Sequence, residues 1–314
     1  MSNCASGYPW RVRKLRFLLA SLTTVVVSCD PGPAVRVAPD SATQPGSVAR
    51  ALQPPAESGE PIVLMWQVQQ SGPAGDFELL RSAGVNAVQA SRMATWPEAD
   101  VRAYLDGAAR SGLKVFAYLG IFREGIGPDC RYSDEAARFI RAWTSHPAIY
   151  AWHSLDEPGS NRITRDCQRA LYRAIKALDP GRPVMLSSNN DDAGDFDRYF
   201  TEDAFDIFEL HKYVNPRPDA AQERMLELLR TRRTRDYPVI ITLRAYNAPH
   251  KPARLPMTED SLREQYRYFI EGPRLTRNFG FYGWDLSRNR GIKSDPSIRR
   301  MFDDLMEDLA RDRR

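Results

Sequence analysis

The chain contains few of the side chains that most often bind transition metals, with four cysteines and four histidines among 314 residues. None of them shows a characteristic ligand spacing, such as the paired cysteines and histidines of a zinc site. A cluster of His153, His211 and acidic residues is the alternative that could still bind a metal. The sequence therefore predicts no metal site, and it implies no organic cofactor.

The sequence also lacks a glycine-rich phosphate turn after its first predicted strand, Ile62–Val68, which argues against a dinucleotide-binding sheet. Its excess of positive charge is local. Residues 1–28 hold four basic and no acidic residues, so without them the 44 basic and 40 acidic residues of the whole chain become 40 and 40. A neutral domain gives no electrostatic reason to expect nucleic-acid binding.

No apolar run is long enough for a confident membrane span. The run from Phe17 to Val27 follows a basic segment and has the layout of a secretory signal. It ends in Val26-Val27-Ser28-Cys29, which resembles a bacterial lipobox. The resemblance implies that residues 1–28 are a lipoprotein signal peptide, that Cys29 carries the lipid anchor, and that the protein lies in the bacterial cell envelope. An ordinary secretory signal is the alternative.

Residues 29–60 are rich in proline, alanine, serine and glycine, a composition typical of a flexible linker. The folded domain is expected over residues 61–314, as a monomer. Cys4 would leave with the signal peptide, so Cys130 and Cys167 remain in an oxidising compartment. We expect a disulfide between them, with two buried free thiols as the alternative.

Strand and helix patterns alternate eight times after Pro61. The predicted strands are short and apolar without clean polar alternation, as expected when both faces are covered. This pattern and length predict an α/β fold with a single (β/α)8 TIM barrel, and an open doubly wound sheet is the alternative. The predicted strands are Ile62–Val68, Val85–Ala90, Lys114–Leu119, Ile149–Ser154, Val184–Ser187, Asp206–His211, Val239–Leu243 and Phe281–Asp285.

Two adjacent carboxylates, Asp156 and Glu157, follow the fourth predicted strand and precede Pro158. Proline ends a strand, so both carboxylates should lie at its carboxyl end, where barrel enzymes build their active sites. Two acidic groups in one place should raise the pKa of one of them, and a pair of carboxylates is what glycoside hydrolysis uses. A solvated turn is the alternative.

Other polar and aromatic residues follow the remaining strands, and in a barrel all of them would converge on one opening. Carboxylates, hydroxyls, amides and aromatic faces together suit a sugar ring, although single aromatic residues at such an opening are often only packed. The candidates for substrate binding are Trp66, Arg92, Tyr118, Asn189, His211, Tyr213, Tyr246 and Trp284, and the further acidic candidates are Glu209 and Asp285.

These landmarks resemble glycoside hydrolase clan A, the barrel enzymes that include cellulases and mannanases. Asp156-Glu157-Pro158 is similar to the clan's Asn-Glu-Pro, His211-Lys212-Tyr213 to its His-x-Tyr, and Arg92 and Trp284 to its second- and eighth-strand residues. The resemblance implies that Glu157 is the general acid/base of an enzyme that cleaves O-glycosidic bonds in a poly- or oligosaccharide.

The sequence departs from that clan at the seventh strand, where Leu243 stands in place of the nucleophilic glutamate. Three alternatives follow. Asp285 or Glu209 could supply the second carboxylate, with Asp285 favoured. The substrate or water could assist directly, oriented by Asp156. Finally, the protein could be a carbohydrate-binding lipoprotein without catalytic activity.

Overall fold

The structure is a computed structural model that describes residues 60–68, 73–119, 130–189, 196–211, 220–231, 233–248, 256–272, 275–286 and 290–312. All of them belong to one compact unit. The predicted signal peptide, Cys29 and the linker lie outside the described residues. Among the helices of the described segments, none combines the length and apolar character needed to cross a membrane.

Eight parallel strands form a closed barrel in which the first strand pairs with the last, which confirms the expected (β/α)8 fold. In chain order the barrel strands are β1 (Val63–Trp66), β2 (Ala87–Ala90), β3 (Lys114–Tyr118), β4 (Ile149–Asp156), β5 (Val184–Asn189), β6 (Ile207–His211), β7 (Val239–Arg244) and β9 (Asn278–Tyr282). Two short strands, β8 (Tyr246–Asn247) and β10 (Arg290–Gly291), pair antiparallel outside the barrel.

Helices lie between the strands, and hydroxyl caps begin two of them. The side chain of Ser133 accepts a hydrogen bond from Ala136 N, and that of Thr164 accepts one from Cys167 N. The helices are α1 (Pro73–Ser82), α2 (Glu98–Arg110), α3 (Asp134–Trp143), α4 (Arg165–Leu178), α5 (Phe196–Tyr199), α6 (Ala220–Thr231), α7 (Ser261–Tyr266, continued as a π-helix over Arg267–Glu271) and α8 (Pro296–Asp312).

The strands alternate between two apolar cores, because successive side chains of a strand point to opposite faces. On β1, Leu64 and Trp66 belong to the core inside the barrel, whereas Val63 and Met65 belong to the core beneath the helices. The inner core continues with Phe116, Met185 and Ile240. Toward the carboxyl ends of the strands the buried interior becomes polar, with Gln89, His153, Ser187, Glu209 and Thr242.

A bulge on β4 changes which side chains of this strand face inward. The pairing with β5 shifts between His153 and Leu155, so Ser154 is an extra residue on β4, and its hydroxyl donates to Met185 O at 2.8 Å. Leu155 consequently joins the outer core, and Asp156 lies within 3.8 Å of His211 inside the barrel. The bulge therefore turns the acidic pair toward the opening.

The eighth barrel strand lies earlier in the chain than predicted. It covers Asn278–Tyr282 rather than Phe281–Asp285 and is followed by Gly283, whose φ is +129°. An added Cβ at Gly283 would lie 2.8 Å from Ala245 O, so only glycine allows this close approach. The chain turns here, and Trp284 and Asp285 therefore follow the strand instead of belonging to it.

Cys130 and Cys167 form a disulfide whose Cα atoms are 5.2 Å apart. It ties the segment that precedes α3 to the first turn of α4, at the same end of the barrel as Glu157. The two cysteines are 37 residues apart, and in the chain-entropy account closing a loop of that size restricts the unfolded state by about 4 kcal/mol.

Replacing Cys130 and Cys167 together by serine should lower the free energy of unfolding by about 2–4 kcal/mol. Urea denaturation of both proteins measures the difference. Reductant should lower the stability of the unaltered protein and leave the double variant unchanged, whereas equal stability of both proteins without reductant would contradict the disulfide.

Candidate active site

Three residues that follow barrel strands at the opening have a left-handed backbone. Gln67, Arg92 and Glu157 have φ values of +64°, +55° and +50°. Such a conformation in residues other than glycine costs about 1–3 kcal/mol, and it occurs preferentially at functional sites. Three strained positions around one opening therefore indicate that this end of the barrel carries the site.

Glu157 is bound to His211, which lies at the end of β6. Nε2 of His211 lies 3.0 Å from Glu157 Oε1, and Nδ1 lies 2.8 Å from Glu209 Oε2. Glu209 is completely buried and His211 nearly so, whereas about a third of the Glu157 side chain is exposed. The three side chains thus form a line from the interior of the barrel to the solvent at its opening.

The hydrogen bond from His211 lowers the pKa of Glu157 below its ordinary value of 4.5. Burial opposes this effect, while the charge of His211 and a hydrogen bond from Asn189 add to it. We expected the adjacent Asp156 to raise the pKa of one member of the acidic pair. Glu157 is therefore not the member with a raised pKa, because the hydrogen bond from His211 lowers its pKa.

His211 is held in its charged form. Burial would lower its pKa, but the charge of Glu209 and hydrogen bonds to Glu157 and Glu209 raise the pKa well above 6.5, and the charge of Asp156 adds to this. At neutral pH His211 is therefore an imidazolium, with Glu157 at Nε2 and Glu209 at Nδ1.

Aromatic side chains form the wall beside the acidic pair. The ring of Tyr118 stacks on that of His153, with ring centres 4.3 Å apart, and Trp66 packs edge-on against both His153 and His211. Burial and the charge of Asp156 raise the pKa of Tyr118, and the charge of Arg92 acts in the opposite direction. These contacts bring four expected site residues together: Trp66, Arg92, Tyr118 and His211.

Amide side chains hold the acidic turn in place. Asn189, at the end of β5, hydrogen-bonds to Glu157 and donates to Ser160 Oγ at 2.9 Å. Asn161 donates to the backbone carbonyls of both Asp156 and Glu157 at 2.9 and 3.0 Å. Asn189 was expected from the sequence. Ser160 and Asn161 were not, although their position directly after Pro158-Gly159 marks them as part of the same turn.

Glu209 does not face the opening. It is completely buried behind His211, which it contacts, so it cannot attack a substrate as a nucleophile or activate a water there. Asp285 is a partly exposed residue that pairs with Lys293 at 3.6 Å, and Lys293 also binds Asp76 on α1. Glu209 therefore cannot be the second catalytic carboxylate that we expected, and the role of Asp285 stays a prediction.

Trp284 was expected to face a substrate, and this expectation is wrong. Its side chain is completely buried in the outer core, its indole N–H donates to Asp76 Oδ2 at 3.1 Å, and Arg299 on α8 packs over its ring. The turn at Gly283 directs the residue between the barrel and helices α1 and α8. Trp284 is therefore a packing residue.

Leu243 does not occupy the position of a missing nucleophile. Its side chain belongs to the outer core, and the side chains of β7 that alternate with it toward the interior are Ile240, Thr242 and Arg244. Arg244 is buried and donates from Nε to Tyr246 O at 3.0 Å. The inward face of β7 therefore presents no carboxylate. The sequence predicted that the nucleophilic glutamate is missing from this strand, but it named Leu243, which faces the other side.

Tyr246 and Tyr282 lie beside this arginine, and the sequence indicated only the first of them. Their ring centres are 5.7 Å apart, Arg244 lies over the Tyr246 ring, and Tyr282 approaches Trp66 at 6.2 Å. Tyr282 was missed because the last strand was placed too late in the chain. Tyr213 lies outside the described residues. Within the described segments, no group of three or more metal-binding side chains is suited to a metal ion.

Comparison with known proteins supports the same class of barrel. Residues 128–252, which span β4 to β7, match the family described as glycosyl hydrolases family 2, TIM barrel domain. No curated protein matches the chain by sequence. The expected resemblance to glycoside hydrolase barrels is thus confirmed.

Solved structures show the same fold at low sequence identity. The β-galactosidase from the psychrophilic Marinomonas ef1 has a TM-score of 0.55 and 9% identity over 79% of this chain and 60% of its own. The β-galactosidase from Rahnella sp. R3 has a TM-score of 0.53 and 11% identity, with coverages of 81% and 56%. β-Glucuronidase 2 from Bacteroides uniformis has a TM-score of 0.51 and 14% identity over 72% of this chain and 30% of its own. This chain thus spans less than two thirds of each.

Replacing Trp284 by alanine should lower the free energy of unfolding by about 3–5 kcal/mol, because a large buried ring and its hydrogen bond to Asp76 are removed. Tyr268, a residue that is 38% exposed, provides the control, and its replacement by alanine should cost less than about 1 kcal/mol. Denaturant titration measures both. Unchanged stability of the Trp284 variant would contradict its assignment to the core.

Proposed function

We propose that the opening of the barrel binds a poly- or oligosaccharide and hydrolyses a glycosidic bond, with Glu157 as general acid/base. The observation that carries this proposal is the hydrogen bond between the exposed carboxylate of Glu157 and the buried, charged His211. The family match over β4 to β7, which contain both residues, supports the same reaction class.

Glu157 and His211 can act as one proton donor. Glu157 is ionised at neutral pH, so it cannot protonate a leaving oxygen in its resting state. Nε2 of His211 lies 3.0 Å from Glu157 Oε1, and its proton can be supplied when a glycosidic oxygen approaches the carboxylate. General acid catalysis of this kind contributes about 10²–10⁴-fold to the rate.

Asp156 is the carboxylate best placed to assist. Its Oδ1 lies 3.8 Å from the same His211 nitrogen, so it is at most about 7 Å from Glu157 Oε1. Inverting enzymes separate their carboxyl groups by roughly 6.5–9.5 Å on opposite faces of the sugar, whereas these two come from one turn. We therefore assign Asp156 the role of orienting a sugar hydroxyl or the attacking water.

Carbohydrate binding without hydrolysis is the second candidate. It is favoured by the inward face of β7, where Ile240, Thr242 and Arg244 leave no nucleophilic carboxylate. Both candidates use the same polar and aromatic wall, and they differ in what happens when the proton donor is removed.

Release of reducing ends from a panel of polysaccharides distinguishes the two. If the protein is a glycosidase, Glu157→Gln should reduce turnover at least about 100-fold, because the amide cannot transfer the proton. Asp106→Asn, a carboxylate-to-amide change on helix α2, is the matched control and should retain activity. Binding of a glycan by both proteins with no product from either would support the non-catalytic function.

We further propose that the protein is anchored to the bacterial cell envelope through Cys29, on the basis of the sequence Val26-Val27-Ser28-Cys29. In a bacterial host, labelled fatty acid should be incorporated into the unaltered protein, and Cys29→Ala should abolish the label. Equal labelling of both proteins would contradict the anchor.

A further inference from the structure

Glu209 is a completely buried carboxyl group that the proposed reaction does not use directly. It lies two residues before His211 on β6, so both side chains point into the barrel, and Glu209 lies one step further from the opening. Its Oε2 is 2.8 Å from Nδ1 of His211. A buried carboxyl group is costly unless it has a hydrogen-bonding partner, and His211 is that partner.

Both nitrogens of His211 have a carboxylate partner. Nδ1 is bound to Glu209, and Nε2 lies 3.0 Å from Glu157 and 3.8 Å from Asp156. A neutral imidazole has one N–H donor, whereas an imidazolium has two. Two ionised partners on opposite sides of the ring therefore require the imidazolium, unless one of the carboxyl groups carries the proton instead.

The surroundings of His211 contain further titratable and charged groups. Two of them are on β4: the charge of Asp156 raises the pKa of His211, and the charge of His211 lowers the pKa of His153. On the other side, β7 pairs Thr242 with His211 and presents Arg244 two residues further along. Tyr118, on β3, stacks on His153.

We propose that Glu209 is a positioning residue that fixes a proton on Nδ1 of His211, so that the second proton, on Nε2, is held against Glu157 in the resting protein. Only the catalytic consequence of this proposal rests on the function proposed above. The role of Glu209 in the resting protein does not, because His211 has the same carboxylate partners without a substrate.

The consequence for the reaction is a defined proton route. The Nε2 proton passes to Glu157 and from there to the leaving glycosidic oxygen as the bond from that oxygen to the anomeric carbon breaks. His211 is then neutral, with its remaining proton kept on Nδ1 by Glu209. Water forms the new bond to the anomeric carbon, and the proton it loses returns through Glu157 to Nε2.

Nitrogen and proton NMR of the histidine rings tests the resting state directly. The chain has four histidines, and His153 is separable because burial lowers its pKa to about 3. In the unaltered protein without substrate, both nitrogens of His211 should carry protons at pH 7.5. Glu209→Gln, which keeps a carbonyl acceptor near Nδ1 but removes the charge, should lower the pH at which His211 titrates by at least about one unit.

Asp106→Asn is the matched control, because Asp106 Oδ1 lies 3.1 Å from Nε2 of His146 and is thus the partner of a different histidine. It should leave the titration of His211 unchanged. The signals of His146 and His153 also report whether each variant is folded. The protonation state of His211 in the unaltered protein is measured independently of any variant.

A neutral His211 ring at pH 7.5 in the unaltered protein would overturn the proposal, as would an unchanged His211 titration in folded Glu209→Gln. If hydrolysis is detected, the alkaline limb of kcat/KM should move to lower pH in Glu209→Gln, because the active state requires the Nε2 proton. Absence of hydrolysis together with the expected titration would contradict the proposed enzyme and leave the role of Glu209 in the resting protein intact.

Discussion

The site depends on the bulge at Ser154 in β4. If Ser154 occupied a regular strand position, strict alternation after His153 would point Leu155 into the barrel and Asp156 toward the helices. The bulge reverses this arrangement, and the hydroxyl of Ser154 and the ring of His153 bind backbone carbonyls around it. The bulge thus brings the acidic turn to the end of β6, where His211 lies.

The two buried histidines next to this bulge show how neighbours decide charge. Both are almost completely inaccessible to solvent, yet their pKa values move in opposite directions. His153 is surrounded by aromatic rings, the carbonyl of Leu155 and the hydroxyl of Ser187, so burial prevails and the ring stays neutral. His211 has carboxylates at both nitrogens, and their charge outweighs the same desolvation.

Much of the fold and part of the site could be predicted from the sequence. Eight strand patterns predicted the barrel, and Pro158 after Asp156-Glu157 placed the acidic pair correctly at the end of β4. The assignment of Leu243 failed because the two faces of β7 were not separated. Ile240, Thr242 and Arg244 share one face by simple alternation, and this could have been recognised from the sequence.

Other differences depended on contacts that no local pattern contains. Gly283 approaches Ala245 O so closely that no side chain fits there, and the chain turns at this glycine, with Tyr282 against the inner core and Trp284 in the outer core. Likewise, the sequence shows Glu209 as one more acidic residue beside the strand end. Its position behind His211 becomes apparent only when β6 is placed inside a closed barrel.

The strained backbone at the opening provides a separate argument for function. Five residues other than glycine have positive φ among the described segments. Two of them have a structural explanation, because Cys130 is in the disulfide and Arg162 closes the turn after Asn161. The other three, Gln67, Arg92 and Glu157, surround the opening, where glycine would avoid the cost of about 1–3 kcal/mol each. Glycine would also remove the carboxylate that binds His211, so the strain at Glu157 is best explained by the need for that side chain at that place.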